Sequence, residues 1–297
     1  MNVIIDKKNS ITKDSICAIG SFDGIHRGHQ EIVKYLKKLA GTEKNTGVIT
    51  FTPLPFFVLK KAPIFYLTPR EEKETIFKEL GIDFMYYFTF TKKFAALDPQ
   101  QFVKKIATRI APSIVVVGEN FHFGRDRKGT AKILQALAKN YFSVEICARI
   151  EDDGTISSTR IRELLLLGHM KAANRLLGRE YSVSGQVIRG KGKGQQLGFP
   201  TINIKVPKEK LIPLEGVYKA KVLCGTEEFL GAMFCRHDLI EVHIIDFVGD
   251  FYRRHVTVKF LERIRGIAQF ANDETLKSAI ARDIEQIIHH PKSDPFA

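Results

Sequence analysis

The chain has no apolar run long enough to span a bilayer, and its opening residues, MNVIIDKKNS, lack the apolar centre of a signal peptide. Both absences point to a soluble, cytoplasmic protein with no membrane partner. Only four cysteines occur, Cys17, Cys147, Cys224 and Cys235, far apart and without a CxxC pair. They fit buried thiols in a reducing cytosol better than a disulfide framework or a zinc site. The common nucleotide signatures are missing too. There is no GxGxxG spacing. Gly185 to Lys191 fits the first seven places of a Walker A loop, but Gly192 stands where Ser or Thr must hold magnesium. Repeats and low-complexity tracts are absent. Basic residues outnumber acidic ones by 46 to 33, a net charge of +13 that attracts polyanions. Yet no run of five basic residues, recognition helix or aromatic RNA-binding signature occurs. The charge is spread, which argues against a nucleic-acid partner and for a basic surface that also suits nucleotides.

What is present divides in two. A chain of 297 residues is long for one core and comfortable for two domains. In the first half, apolar strands at Ile16–Ile19, Val48–Phe51, Phe84–Phe88, Ile114–Val117 and Val144–Ala148 alternate with helical segments. Thr68-Pro69-Arg70-Glu71 reads as a capping box opening one helix, Asp98-Pro99 opens a second, and a third runs near Ala131–Lys139. The pattern predicts a Rossmann-like, doubly wound parallel α/β sheet. Ser157–Leu167 and His169–Leu177 read as two short connecting helices. From Tyr181 the pattern becomes short strands, including Val183–Arg189, Val217–Leu223, Glu241–Phe247 and Val256–Leu261. These predict an antiparallel β-barrel, with a final helix from Asn272 carrying Leu276, Ile280, Ile284 and Ile287 on one face.

The first half is organised around Gly20-Ser21-Phe22-Asp23-Gly24-Ile25-His26-Arg27-Gly28-His29-Gln30. It joins a buried strand to a helix predicted over Gln30–Ala40. That helix end offers free N–H groups and the positive pole of the dipole, which suit a phosphate. His26 and His29, with only Gly28 and Arg27 between them, can reach one anion. Surface histidines, ligands of a metal completed elsewhere, or a plain tight turn are the competing readings. Asn120, in Gly118-Glu119-Asn120-Phe121-His122-Phe123-Gly124, is either a phosphate donor or a left-handed turn residue. Ser157-Ser158-Thr159-Arg160-Ile161-Arg162 is either an anion clamp or a helix cap. Gly190 to Gly198 reads by itself as a flexible hairpin.

GSFDGIHRGHQ closely resembles the HxGH turn of the bacterial bifunctional riboflavin kinase/FAD synthetases, whose first half belongs to the HxGH nucleotidyltransferase superfamily. Leu197-Gly198-Phe199-Pro200-Thr201-Ile202-Asn203 resembles the GFPTAN signature of riboflavin kinase, and Glu241-Val242-His243-Ile244-Ile245-Asp246-Phe247 the strand that carries its catalytic glutamate. The resemblance spans roughly residues 3–288. It implies an FMN adenylyltransferase domain over 1–178 and a riboflavin kinase barrel over 179–297. His26 and His29 would be catalytic in the first, with Gly20, Phe22, Asp23, Gly24, Asn120, Ser158, Thr159 and Arg162 binding ATP or flavin, and Phe51–Pro55 shaping a wall. In the second, Glu241 would be the catalytic base, Gly192, Lys193, Gly198 and Pro200 would bind ATP, and Thr201 and Asn203 would hold Mg2+ on its phosphates. ATP, riboflavin and FMN are the implied substrates. Departures cluster in the second half. Met233–Leu239 replaces an Asn-Ile-Gly…Pro-Thr loop, Tyr252-Arg253 replaces Tyr-Gly, and Arg265-Gly266-Ile267 replaces Arg-x-Glu, although Phe270 is kept. In the first half, Thr155 stands where an arginine is frequent, a place that Arg160 would have to fill. An adenylyltransferase with a weak or inactive kinase half is the alternative.

Overall fold

Ile16, Cys17, Ala18 and Ile19 are all buried, as a strand covered on both faces must be. Alternate members feed two cores, Cys17 and Ile19 on one face and Ile16 and Ala18 on the other. The computed structural model describes residues 1–6, 14–59, 65–148, 154–190, 192–237 and 239–289. Within it the chain forms two compact units, Met1–Ile156 and Ser157–Ala297.

The first unit runs β1 (Asn2–Ile5), β2 (Ile16–Ile19), α1 (Arg27–Ala40), β3 (Thr46–Thr52), α2 (Pro55–Leu59), α3 (Arg70–Glu79) and β4 (Phe84–Thr89). It continues through α4 (Lys92–Ala95), α5 (Pro99–Arg109), β5 (Ile114–Gly118), β6 (His122–Phe123), β7 (Gly129–Thr130), α6 (Ala131–Ala138) and β8 (Ser143–Cys147). Six strands make one parallel sheet in the order β1-β4-β3-β2-β5-β8, and β6 and β7 form a small hairpin. The expected doubly wound sheet is therefore present. Strand order reverses at β2, which pairs with β3 on one side and β5 on the other. Ligands of such sheets bind beyond the carboxyl ends of the strands at that reversal. The loops after β2 and β5, which carry the histidines and Asn120, meet there.

Three local readings change. The capping box at Thr68 does not form. Pro69 is the N-cap, without a side-chain cap, because the Thr68 hydroxyl instead accepts the Gly24 N–H at 3.1 Å. A tertiary partner has outcompeted a local one. Helix α1 starts at Arg27 rather than Gln30, and β1, a four-residue edge strand with three residues exposed, is not among the expected strands although Val3, Ile4 and Ile5 are apolar. The helix expected from Asp98-Pro99 does start there, and its cap is a capping box in which Gln101 reciprocates.

The second unit contains α7 (Ser158–Leu166), α8 (Met170–Leu177), β9 (Tyr181–Ile188), α9 (Lys193–Gln196), β10 (Ile202–Lys205), β11 (Gly216–Cys224), β12 (Glu227–Arg236), β13 (Leu239–Ile244), β14 (His255–Arg265) and α10 (Asp273–His289). Its six strands close in the order β10-β13-β12-β11-β14-β9, with β9 pairing back on β10. The predicted antiparallel barrel is thus a closed one, which leaves no sheet edge. Strand β12 was not foreseen, since it opens on Glu227-Glu228 and is half-exposed. Strand β13 stops at Ile244, short of Phe247, and Asp246 takes a left-handed φ of 55°. Helix α8 packs on the barrel through fully buried Asn174, which donates to the Phe260 carbonyl at 2.9 Å and accepts the Tyr181 N–H at 2.7 Å.

Candidate active sites

In the sheet unit, the chain leaves β2 through a contorted turn. Phe22, Gly24 and Ile25 all have positive φ, at 47°, 86° and 41°. For a β-branched residue such as Ile25 that backbone is costly and survives only where the surroundings enforce it. They do so from several directions. Both Asp23 carboxylate oxygens accept backbone N–H groups, from Leu67 at 3.3 Å and Thr68 at 3.1 Å, and the Gly24 N–H goes to Thr68. The Ser21 carbonyl accepts from Lys73 Nζ at 2.9 Å and Thr50 Oγ1 at 3.3 Å. Phe22 is buried edge-on against Phe77.

The held turn aims two rings at one place. His26 is the N-cap of α1, and its ring stacks on His29 with centroids 3.7 Å apart and planes 16° off parallel. Phe22 meets His29 edge-on at 5.1 Å. Gly28 packs closely on the turn, since a Cβ there would lie a tight 3.3 Å from the His26 ring. So His26 and His29 come together at the N-terminus of a 14-residue helix. Phe22 and Asp23 lie beneath the turn as its supports. Gly20 packs against the Phe22 ring, where a Cβ would lie 3.1 Å away. Asn120 is exposed after β5 and does not have the left-handed backbone, so that explanation of it falls away. Its carbonyl is 2.9 Å from His122 Nδ1. Ser157 caps α7 by accepting the Arg160 N–H at 3.2 Å, which leaves Ser158 and Thr159 as the first helical residues with Arg162 one turn on.

On the barrel, Thr201, Asn203, Glu241 and His243 share the outer face. Asn203 and Glu241 are register partners across β10 and β13, while their neighbours Ile204, Ile240 and Val242 fill the interior. Two cavities flank this face. One, of about 370 Å³, is lined by the polar side chains of Arg189, Gln195, Thr201, Asn203, Asp250 and Tyr252, with Gly190, Gly192 and Pro200 between them. The other, of about 490 Å³, lies under α10 and is walled by Phe199, Met233, Ile267, Phe270 and Leu276, with Glu241 on its lining. Thr201 lines both. Asn203 is buried against Gly190, where a Cβ would fall 2.2 Å from its amide nitrogen. Gly192 and Gly198 take left-handed φ of 73° and 87° at the two ends of the flap. Lys193 pairs with Asp273 at 3.1 Å. His243 Nδ1 lies 2.8 Å from the Pro200 carbonyl, which ties the flap to the strand of Glu241. Lys191 and Asp238, in the two loops singled out from the sequence, lie outside the described residues.

Among the described residues no group of three or more His, Cys, Asp or Glu is arranged to hold a metal. The oxygens of Thr201 and Asn203 are nonetheless the hard, uncharged donors that suit Mg2+ bound mainly by phosphates, and the cradle around Asn203 fixes one of them.

The sequence model of FAD synthetase matches residues 8–160, and that of riboflavin kinase matches 177–290. The bifunctional riboflavin kinase/FMN adenylyltransferase of Listeria monocytogenes is 34% identical over 95% of this chain and 93% of its own. The Escherichia coli protein of the same name is 32% identical over 90% of both.

The chain belongs to the bifunctional riboflavin kinase/FMN adenylyltransferase family.

A crystal structure titled macrolide-efflux protein, from Streptococcus pneumoniae, shares the fold of this family member at a TM-score of 0.86 and 31% identity, over 97% of this chain and 99% of its own. Efflux is a membrane activity, and no described helix here is long and apolar enough to cross a membrane. Two of the family departures now have places. Arg236 and Ile267 line the apolar cavity, and Tyr252, which is kept, lines the polar one next to the departure at Arg253. Sequence reasoning missed Thr50, Thr68 and Lys73, the supports of the histidine turn. Nothing in their local pattern marks them, because their partners are 29 to 52 residues away.

Proposed function

We infer that this chain makes flavin cofactors in two steps, phosphorylating riboflavin with ATP to give FMN and ADP, then adenylylating FMN with a second ATP to give FAD and pyrophosphate. Both family matches and the names of its relatives support both activities. The observation that carries the kinase step is the pair of cavities meeting at Thr201. A polar hollow suits a triphosphate, an apolar one suits a flat flavin ring, and Glu241 stands on the apolar side. Glu241 takes the proton from the ribityl hydroxyl as its oxygen bonds to the γ-phosphorus and the β–γ bridge breaks toward ADP. Thr201 and Asn203 hold Mg2+, which neutralises phosphate charge. Gly192, Lys193, Gly198 and Pro200 form the flap over the nucleotide.

In the sheet unit, a phosphate oxygen of FMN attacks the α-phosphorus of ATP and pyrophosphate leaves. His26, His29 and the positive N-terminal end of α1 stabilise the charge that develops, with Asn120 binding phosphates. On the other unit, Ser158, Thr159 and Arg162 at the head of α7 are a further phosphate-binding group. Gly20, Phe22, Asp23 and Gly24 shape the turn. Neither step needs a covalent intermediate, so positioning and charge neutralisation do most of the work. Purified protein given Mg-ATP and riboflavin should make FMN, and given FMN should make FAD. FAD from FMN with no FMN from riboflavin would overturn the kinase assignment and restore the adenylyltransferase-only alternative.

A further inference from the structure

Lys73 is buried, at 2% exposure, on the inner face of α3 beside Phe77. A lysine is almost never found so deep without a reason. Its ammonium donates to the Ser21 carbonyl at 2.9 Å, and Asp23 is the charge that acts on it most. Ser21 and Asp23 open the same contorted turn that ends on His26. We propose that Lys73 is a positioning residue for adenylyl transfer, holding the Ser21 carbonyl so that the turn keeps His26 and His29 stacked, and setting a positive charge beneath the place of the reacting phosphates. This rests on the reading of the sheet unit given above.

A purely structural role does not account for the ammonium. The Thr50 hydroxyl donates to the same carbonyl only at 3.3 Å, against 2.9 Å for the ammonium, and an unbranched apolar side chain would fill the space without the charge. Burial also pushes the Lys73 pKa down to about 8, partly offset by Asp23. Between that pH and the ordinary lysine range, the unfolded chain binds a proton that the folded one does not. Stability therefore rises with pH there, and at neutral pH the buried cation is a net burden on the fold. The titratable groups on the surrounding elements are Asp23, His26 and His29 around the turn, Arg70, Glu72 and Glu74 on α3, and Tyr87 on β4. Arg70 is engaged by Glu74 at 2.6 Å and lies over the Tyr87 ring.

The test uses the full-length protein, K73M and T50V. Each is assayed from pH 6.5 to 9.5 for FAD formation from FMN and for FMN formation from riboflavin, with thermal unfolding alongside. Wild type should lose FAD formation as pH passes about 8, without a matching loss in FMN formation, and T50V, which keeps the ammonium, should show the same alkaline fall whatever its activity at pH 7. K73M should lower kcat for FAD formation by about 10²-fold at pH 7, as expected for misplaced catalytic groups, and should show no fall near pH 8. Its melting temperature at pH 7 should equal or exceed that of wild type. Wild-type FAD formation by K73M, or an alkaline fall that persists in it, would overturn the proposal. If K73M does not fold, the wild-type profile decides, and a flat course through pH 8 overturns it. Wild type that forms no FAD at any pH would overturn the adenylyltransferase reading itself, and this proposal with it.

Discussion

On the function proposed above, the two units solve one problem, seating a triphosphate, with opposite materials. In the sheet unit the seat is backbone and ring. A helix end and two stacked histidines present it, and the turn that bears them is forced into shape by residues far along the chain. On the barrel the seat is side chains set by strand register. Asn203 faces Glu241 because β10 pairs with β13, and a flap of glycines closes against them. The first kind depends on distant tertiary contacts. The second depends on strand register inside the barrel, so a fault in one should leave the other intact.

The sharpest way to break the comparison is at Glu241. E241Q should reduce FMN formation by about 10²–10⁴-fold, the usual worth of a general base, while supplied FMN is still converted to FAD. H29A should do the reverse, with FAD formation reduced by about 10²–10³-fold and riboflavin phosphorylation unchanged. Separate assays of the two steps on each purified variant check both. Loss of both steps in either variant would mean that the centres are not independent.

Close packing offers a finer contrast. At Gly190 a Cβ would lie 2.2 Å from the amide of Asn203, which must then swing out of a buried seat. G190A should therefore lower kinase kcat by about 10²-fold. At Gly28 the same Cβ meets the His26 ring at 3.3 Å, a tight contact that a small ring shift relieves. G28A should slow FAD formation only about 3-fold, since the shift needed is well below the 1 Å that costs about 10²-fold. Equal losses would show that the histidine turn is as rigid as the barrel face, against the distinction drawn here.

How much of each seat can be read from sequence follows from the same difference. Strands β2, β3, β4 and β5 are legible because both their faces are buried, which leaves largely apolar runs. Edge strand β8, with Ser143 exposed and Glu145 half-buried, shows only Val144, Ile146 and Cys147. The glycines and histidines of the turn are legible because they are adjacent in sequence. Thr68 is not, since a threonine before Pro-Arg-Glu carries every local mark of a helix cap and only the fold brings Gly24 to it. Lys73 hides equally well, in a helix whose other charged residues are largely exposed. On the barrel, alternation along β10 and β13 makes Thr201, Asn203 and Glu241 readable as one face. The pairing of β13 with β10 is not, because β11 and β12 intervene in sequence.

Another small effect is expected at the tie between flap and strand. A carbonyl only accepts, so at 2.8 Å from the Pro200 oxygen His243 Nδ1 must carry the proton and donate. Its ring also meets Phe199 edge-on at 5.7 Å, next to the apolar cavity. Asparagine places an amide N–H near the position of Nδ1, whereas phenylalanine keeps the ring and loses the donor. A net hydrogen bond is worth about 1 kcal/mol, so H243A and H243F should lower kcat/KM for riboflavin phosphorylation about 5-fold. H243N should stay within about 2-fold of wild type on the same reckoning, and none of the three should alter FAD formation from FMN. If H243F instead matches wild type and H243N falls with H243A, the ring contact with Phe199 holds the flap. The barrel seat would then rest on packing, as the histidine turn does, rather than on a side-chain hydrogen bond.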